Sequence, residues 1–432
     1  MPIGEIKNVL LTPTESSGLT GFFVDQPTSG SHFDCYGIKI EGWVVNEGNK
    51  PVFVTATWRR MILGQAPVKQ PRPDLAEAYP HLDEAGVSGF CMTISLLGLP
   101  PHASIVMQAG LSDGRTAGIG TLRLQRAPLH CAYQASIQPI LLNSLGRSGS
   151  KWLTMLLGQH PEILALEPAK LEPRAIHYWL SVFLTIANPR SYLQILAADL
   201  SQPRYWLGDR HPIHMHDFPD DPTHQWLGRN SVEATAAFCL QQVEQFYQEA
   251  ALRENKPGAR RFAEKHVPNP LLSTMIMELY PEAGQIFLVR DLRDVVCSMA
   301  AFSAKIGGQG FLRSEAGLSR EFIDSLRRGG QTLLEEWKSM AENAALLRYE
   351  DLIQDPLPAL TAVFDYIGVA SDRESVEGIV RRAGEFDLKE HQTSDGPHSS
   401  IGRWRRDLSP ELQAECAEAF GDLLEEFGYP TT

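Results

Sequence analysis

No stretch of about 20 apolar residues, the length a membrane-spanning helix needs, occurs in this chain. Its opening Met-Pro-Ile-Gly-Glu-Ile-Lys-Asn lacks the basic start and apolar run of a secretory signal. The six cysteines (Cys35, Cys91, Cys131, Cys239, Cys297 and Cys416) include no Cys-x-x-Cys pair. Such spacing argues against a disulfide frame and a cysteine zinc site, so the thiols read as reduced and the expected compartment is the cytoplasm. Positive charge is also short, with 39 Lys and Arg against 52 Asp and Glu, a net charge of −13. That balance argues against a general binder of nucleic acid polymers or anionic membranes. A small polyanion is still allowed, because a few local cations hold it. Internal repeats and low-complexity tracts are missing too.

What is present begins with length. A chain of 432 residues has room for two or three domains. Up to Arg126 the pattern is one of short alternating runs: Ile38–Val44, Val52–Trp58, Ser104–Ala109 and Gly118–Leu124, with turn-like residues at 46–50 and 112–115. This predicts a small all-β sandwich over residues 1–126, interrupted by a short helical excursion at 72–80. Residues 127–139 read as a linker. From 140 to 432, helical periods alternate with strand-like runs at Ile140–Leu142, Arg261–Ala263, Gln285–Val289 and Ala345–Arg348, with a helix from Ser231 to Arg253. The fold class is therefore α/β, a parallel sheet flanked by helices, with ligands expected beyond the carboxyl ends of its strands.

The first strand runs into Asn143-Ser-Leu-Gly-Arg-Ser-Gly-Ser150 and then a helical run through Lys151, Trp152 and Met155. Strand, glycine loop and helix aim several N–H groups and a helix N-terminus at one phosphate. The G-x-x-x-x-G-K-[ST] signature of nucleoside triphosphatases is missing, because Gly149 is followed by Ser150 and Lys151. A second motif places Arg290 at the carboxyl end of an apolar strand and Ser298 eight residues further on. It supplies a planar fork and a hydroxyl for a terminal phosphate. A Leu346-Leu-Arg-Tyr-Glu-Asp-Leu352 segment and a basic, aromatic Ile401-Gly-Arg-Trp-Arg-Arg406 segment complete the set. Beside them, Arg293 and Asp294 read as a solvated, salt-bridged helix start.

In order and spacing these pieces resemble the sulfotransferases that use 3′-phosphoadenosine-5′-phosphosulfate (PAPS) and release PAP. The resemblance spans roughly residues 138 to 430 and implies a P-loop-like sulfotransferase fold. It implies that Arg147, Ser148, Gly149, Ser150, Lys151 and Trp152 hold the 5′-phosphosulfate, with Trp152 against the adenine. Arg290 and Ser298 would grip the 3′-phosphate, and Tyr349 would reach toward the adenine. Lys265 falls where many members carry an active-site lysine that stabilises the leaving phosphate. This chain departs from the family pattern in having Lys151 where a hydroxyl residue is usual. It also has Pro397-His398-Ser399 where an Arg-Lys-Gly triplet is usual, so the 3′-phosphate is expected to meet His398, Ser399, Ser400 or Arg403. The general base is expected to be Glu172, ahead of Glu167 and His266. The front domain resembles β-sandwich modules attached to bacterial carbohydrate-active and group-transfer enzymes.

The reaction so implied needs no metal, since PAPS brings no triphosphate to neutralise. His211, His214, His216 and Asp217, with His224, lack a cysteine pair and read as an acceptor-side loop, not a zinc site. Tyr178, Trp179, Trp206 and Trp226 are its candidate lining. The acceptor is a small molecule or glycan, through a hydroxyl or amine. Neither its identity nor the oligomeric state is written in these motifs. A P-loop-type metabolite kinase and a non-catalytic glycan-binding protein are the alternative readings. The first lacks its Walker lysine and hydroxyl; against the second stand intact Arg147, Lys265, Arg290 and Ser298.

Overall fold

The computed structural model of the chain describes residues 2–166, 173–187, 226–306, 318–383 and 392–431. It divides into two compact units: Met1–Gln134 with Trp179–Leu240, and Ala135–Tyr178 with Gln241–Thr432.

The first unit holds two antiparallel sheets. β1 (Gly4–Leu11), β3 (His32–Phe33), β5 (Pro51–Trp58), β6 (Met61–Pro67), β8 (His102–Leu111) and β9 (Thr116–Arg126) form a six-stranded sheet in the order β3-β1-β9-β8-β5-β6. β2 (Gly21–Gln26), β4 (Gly37–Val45) and β7 (Gly89–Ser95) form a three-stranded one. Alternation makes the core here: along β8, Ala103, Ile105, Met107 and Ala109 are buried, while Ser104 and Val106 between them are exposed. The four alternating runs of the sequence lie inside β4, β5, β8 and β9. The period-two pattern does not pick out β1, β2, β6 and β7, because turn residues such as Gly64 and polar residues such as Asp25 interrupt it. The short helix Pro73–Ala78 occupies the expected excursion.

In the second unit a parallel sheet runs β11-β12-β10-β13-β14, built from β10 (Gln138–Ser144), β11 (Ile163–Leu164), β12 (Arg261–His266), β13 (Gly284–Val289) and β14 (Ala345–Arg348). β13 is buried at all six positions, as a strand covered on both faces must be. Its Ile286 and Leu288 pack with Leu153, Leu156 and Phe364. Phe287 and Val289 face the other way, toward Val295, Val296 and Phe420. Two helical layers thus fix the height at which β10 and β13 end, and the loops that follow them lie side by side. Lys256 ties down the turn after the helix Ser150–Leu157 by donating to the carbonyls of Gly158, His160 (3.0 Å) and Ile163 (2.8 Å). Among the described residues, no helix is long and apolar enough to cross a membrane.

Candidate functional site: an arginine cluster at the carboxyl ends of two strands

The loop after β10 is set by two left-handed residues. Arg147 has φ of 67° and Gly149, the N-cap of the helix Ser150–Leu157, has φ of 91°. A side chain at Gly149 would be doubly opposed, since a Cβ there would sit 2.3 Å from Tyr349 Cδ2. The tyrosine ring therefore lies directly on the loop. Its hydroxyl pairs with Ser400 Oγ at 2.9 Å, and Arg290 stacks on it at 4.5 Å.

Arg290 follows the last residue of β13. Its guanidinium donates to the Arg147 carbonyl at 3.0 Å and to the Ser400 carbonyl at 2.7 Å, while its buried Nε has no partner among the described residues. Asp291 caps the next helix, Leu292–Lys305, by accepting from Arg293 N–H at 2.9 Å. Ser298 and Phe302 stand one turn apart on that helix, and Arg147 covers both. Its Nε donates to Ser298 Oγ at 3.2 Å, and its guanidinium lies 4.4 Å from the Phe302 ring centre. Thr393 Oγ1 lies 3.3 Å from Ser298 Oγ and also 3.3 Å from Arg403 Nη1.

Arg147, Arg290 and Arg403 thus crowd one place. Burial first, and then the charges of Arg290 and Arg403, push the Arg147 pKa down to about 10. Asp407 holds Arg403 at 2.6 Å. An anion with several oxygens would cancel the repulsion and give the Arg290 Nε an acceptor.

The structure corrects the reading of Arg293 and Asp294 as a solvated pair. Arg293 is 1 % exposed and Asp294 0 %. Arg293 clasps Asp291, donates to the Pro430 carbonyl at 2.6 Å and lies 3.9 Å from the Trp404 ring centre. Asp294 accepts from Gly402 N–H at 2.6 Å and Trp404 N–H at 2.9 Å, holding the strip that carries Arg403. Burial raises its pKa to about 6. A helix packed under the site has no solvated side here, so charge in the sequence did not mean exposure.

The other predicted residues fall as follows. Ser148 is buried, and Ser150, Lys151 and Trp152 are half-buried at the helix start. Trp152 packs against the core beneath the sheet. Ser400 and Arg403 are buried against the cluster, whereas His398 is exposed and Ser399 Oγ turns to the Gly396 carbonyl. Lys265 is half-buried at the end of β12. Tyr178 and Trp226 are exposed. Glu167, Glu172, Trp206, His211, His214, His216, Asp217 and His224 lie outside the described residues.

His266 is 1 % exposed, and both of its ring nitrogens are engaged, one by Ser273 and one by His177, at 2.9 Å each. Burial, then His177 and Arg174, lower its pKa to about 3. Because the folded value lies below the unfolded value of about 6.5, its contribution to stability is present above that pH and is lost as pH falls. Asp294, with a raised pKa, acts in the opposite sense between about pH 4 and 6. Going from pH 7 to 5, His266 alone is expected to cost about 2 kcal/mol of unfolding free energy. Urea titrations of the wild type and His266→Asn at both pH values should differ by that amount, and equal pH slopes would contradict a neutral His266.

A family model described as the sulfotransferase family matches residues 139–373, more than half of the chain. Similar solved structures include the sulfotransferase domain of the Synechococcus PCC 7002 olefin synthase, 19% identical with TM-score 0.39, covering 71% of this chain and 99% of that one. The sulfotransferase domain of the curacin biosynthetic pathway is 16% identical with TM-score 0.39, covering 69% and 100%. A mouse sulfotransferase complexed with PAP is 13% identical with TM-score 0.38, covering 68% and 87%. No curated protein matches the chain significantly. The family match begins at the strand that carries the glycine loop and runs through Arg290, Ser298 and Tyr349, and on it the chain belongs to the sulfotransferase family.

Proposed function

We propose that the chain transfers the sulfuryl group of PAPS to a hydroxyl or amine of a small-molecule or glycan acceptor, with a carbohydrate or glycolipid favoured, in the cytoplasm. The observation that carries this reading is the crowding of Arg147, Arg290 and Arg403 beside Ser298 and the Gly149 loop. In this reading Arg290, Ser298, Ser400 and Arg403 take the 3′-phosphate. The loop from Arg147 to Trp152 takes the 5′-phosphosulfate, and Tyr349 borders the adenine.

The acceptor oxygen forms a bond to sulfur as the bond from sulfur to the 5′-phosphate oxygen breaks, and PAP leaves. Negative charge grows on that phosphate. Strand alternation supports Lys265 for stabilising it: Lys265 shares a face with Ala263, which packs in the same core as Leu153 and Leu156 of the loop's helix. Glu172 takes the acceptor's proton. The engagement of both His266 nitrogens within the protein favours Glu172 over His266 for this role.

Calorimetric titration without magnesium tests the donor. Binding of PAP, with ATP–Mg²⁺ ignored, is the expected result. The reverse preference would favour a phosphoryl-transfer enzyme, and binding of neither would favour a non-catalytic chain.

A further inference from the structure

Glu264 and His266 alternate with Lys265 on β12, so both project from the opposite sheet face. There they join a buried line of polar groups that sulfuryl transfer does not use. His266 Nε2 lies 2.9 Å from Ser273 Oγ, and His266 Nδ1 lies 2.9 Å from His177 Nε2. His177 Nδ1 lies 3.2 Å from Glu264 Oε2. The other carboxylate oxygen, Oε1, accepts from Ile176 N–H at 2.9 Å and from the Tyr247 hydroxyl.

Counting protons along this line fixes its state. Ser273 has one hydroxyl proton and donates it to the Asn269 carbonyl one turn earlier, at 3.0 Å. Its oxygen is then an acceptor, so His266 carries its proton on Nε2. A neutral His266 has a bare Nδ1, which must accept from Nε2–H of His177. The 3.2 Å contact between His177 Nδ1 and Glu264 then needs one further proton, on either side. Charge gives the same answer. Glu264 is 1 % exposed, and among the described residues its one titratable ion-pair partner is His177. The opposite tautomer order would leave Glu264 hydrogen-bonded but with no proton to neutralise its buried charge, and would break the Ser273–Asn269 bond.

We propose that His177 and Glu264 hold one proton between them, and that this proton locks the end of β12 and so positions Lys265 for the transfer reaction. The functional part of the proposal rests on the assignment of Lys265 to the leaving phosphate. Every group facing the pair fits this state. Tyr247 donates to Glu264 and has Tyr280 near it, the charge of Arg174 acts on His266, and Lys265 leaves the strand on the other face. Glu264 also holds Ile176 in the first turn of the helix Ala175–Ala187, so loss of the proton loosens a helix start and a strand end together.

The geometry selects the test. In Glu264→Gln, Oε1 can still accept from Ile176 and Tyr247, and the amide nitrogen can donate to His177 Nδ1 at every pH. This variant is expected to keep turnover within threefold. Glu264→Ala should lose tenfold or more in turnover with PAP affinity within threefold. Turnover is followed as PAP release with the acceptor returned by a screen using radiolabelled PAPS. Spectra of the full chain with ¹⁵N-labelled histidine provide a readout that needs no acceptor and no variant: His266 should be the Nε2–H tautomer and His177 should carry Nε2–H. An Nδ1–H tautomer at His266, or a Glu264→Gln variant as impaired as Glu264→Ala, would overturn the proposal. If PAP fails to bind the wild-type chain, the donor reading falls, and the histidine spectra still decide the proton.

Discussion

Replacing Arg290 with alanine should weaken PAP binding about 10²–10³-fold in a magnesium-free titration. That magnitude follows from charge-assisted hydrogen bonds, each contributing about 1.5–3 kcal/mol, with about 1.4 kcal/mol per tenfold in affinity. Arg290 offers a phosphate its unpartnered buried Nε, and it can redirect the nitrogens that now hold the Arg147 and Ser400 carbonyls. One effect works against the loss. Removing Arg290 relieves Arg147 of its nearest like charge, so the Arg147 pKa should rise from about 10. That relief is smaller than the lost contacts, because burial is the larger cause of the Arg147 shift. Arg290→Lys separates charge from shape: it keeps the cation, loses the fork and should fall between the two. Thermal unfolding of both variants checks that the two carbonyls released do not unravel the loop. Affinity within threefold of wild type in a folded Arg290→Ala chain would remove the arginine cluster from the donor site.

Much of this site is legible in the sequence because its parts are local. The glycine loop, Arg290 at a strand end and Ser298 eight residues on are single-element features, and the elements form where their periods indicate. The same stretch carries a second signal. Arg290, Asp294, Ser298 and Phe302 recur every four residues, and each of them meets the cluster or the strip that carries it. Taken as a helix face, that period turns Asp294 from a surface charge into the buried anchor of residues 402–404. The alternation of Glu264, Lys265 and His266 likewise assigns the lysine and its neighbours to opposite faces by strand geometry alone. Thr393 and Tyr247 carry no such signal. Each reaches a partner on a different element, and only packing decides that meeting.

The base is where sequence reasoning has the largest consequence. Glu172→Gln is expected to lower turnover by about 10²–10⁴-fold, the usual contribution of a positioned general base, while PAP affinity stays within a few-fold. Glutamine keeps the size and one acceptor oxygen of glutamate and removes its capacity to take a proton. The competing assignment makes the opposite prediction. Were His266 the base, Glu172→Gln would be nearly silent, and His266→Asn would instead lower turnover by about 10²–10⁴-fold. His266 meets that role poorly. With a pKa near 3 it is neutral at working pH, but it holds a proton only weakly, and its nitrogens are spoken for by Ser273 and His177. Near-normal turnover in Glu172→Gln, measured with an acceptor that the wild type sulfates, would therefore move the base to another residue while leaving the donor site at Arg290 and Ser298 untouched.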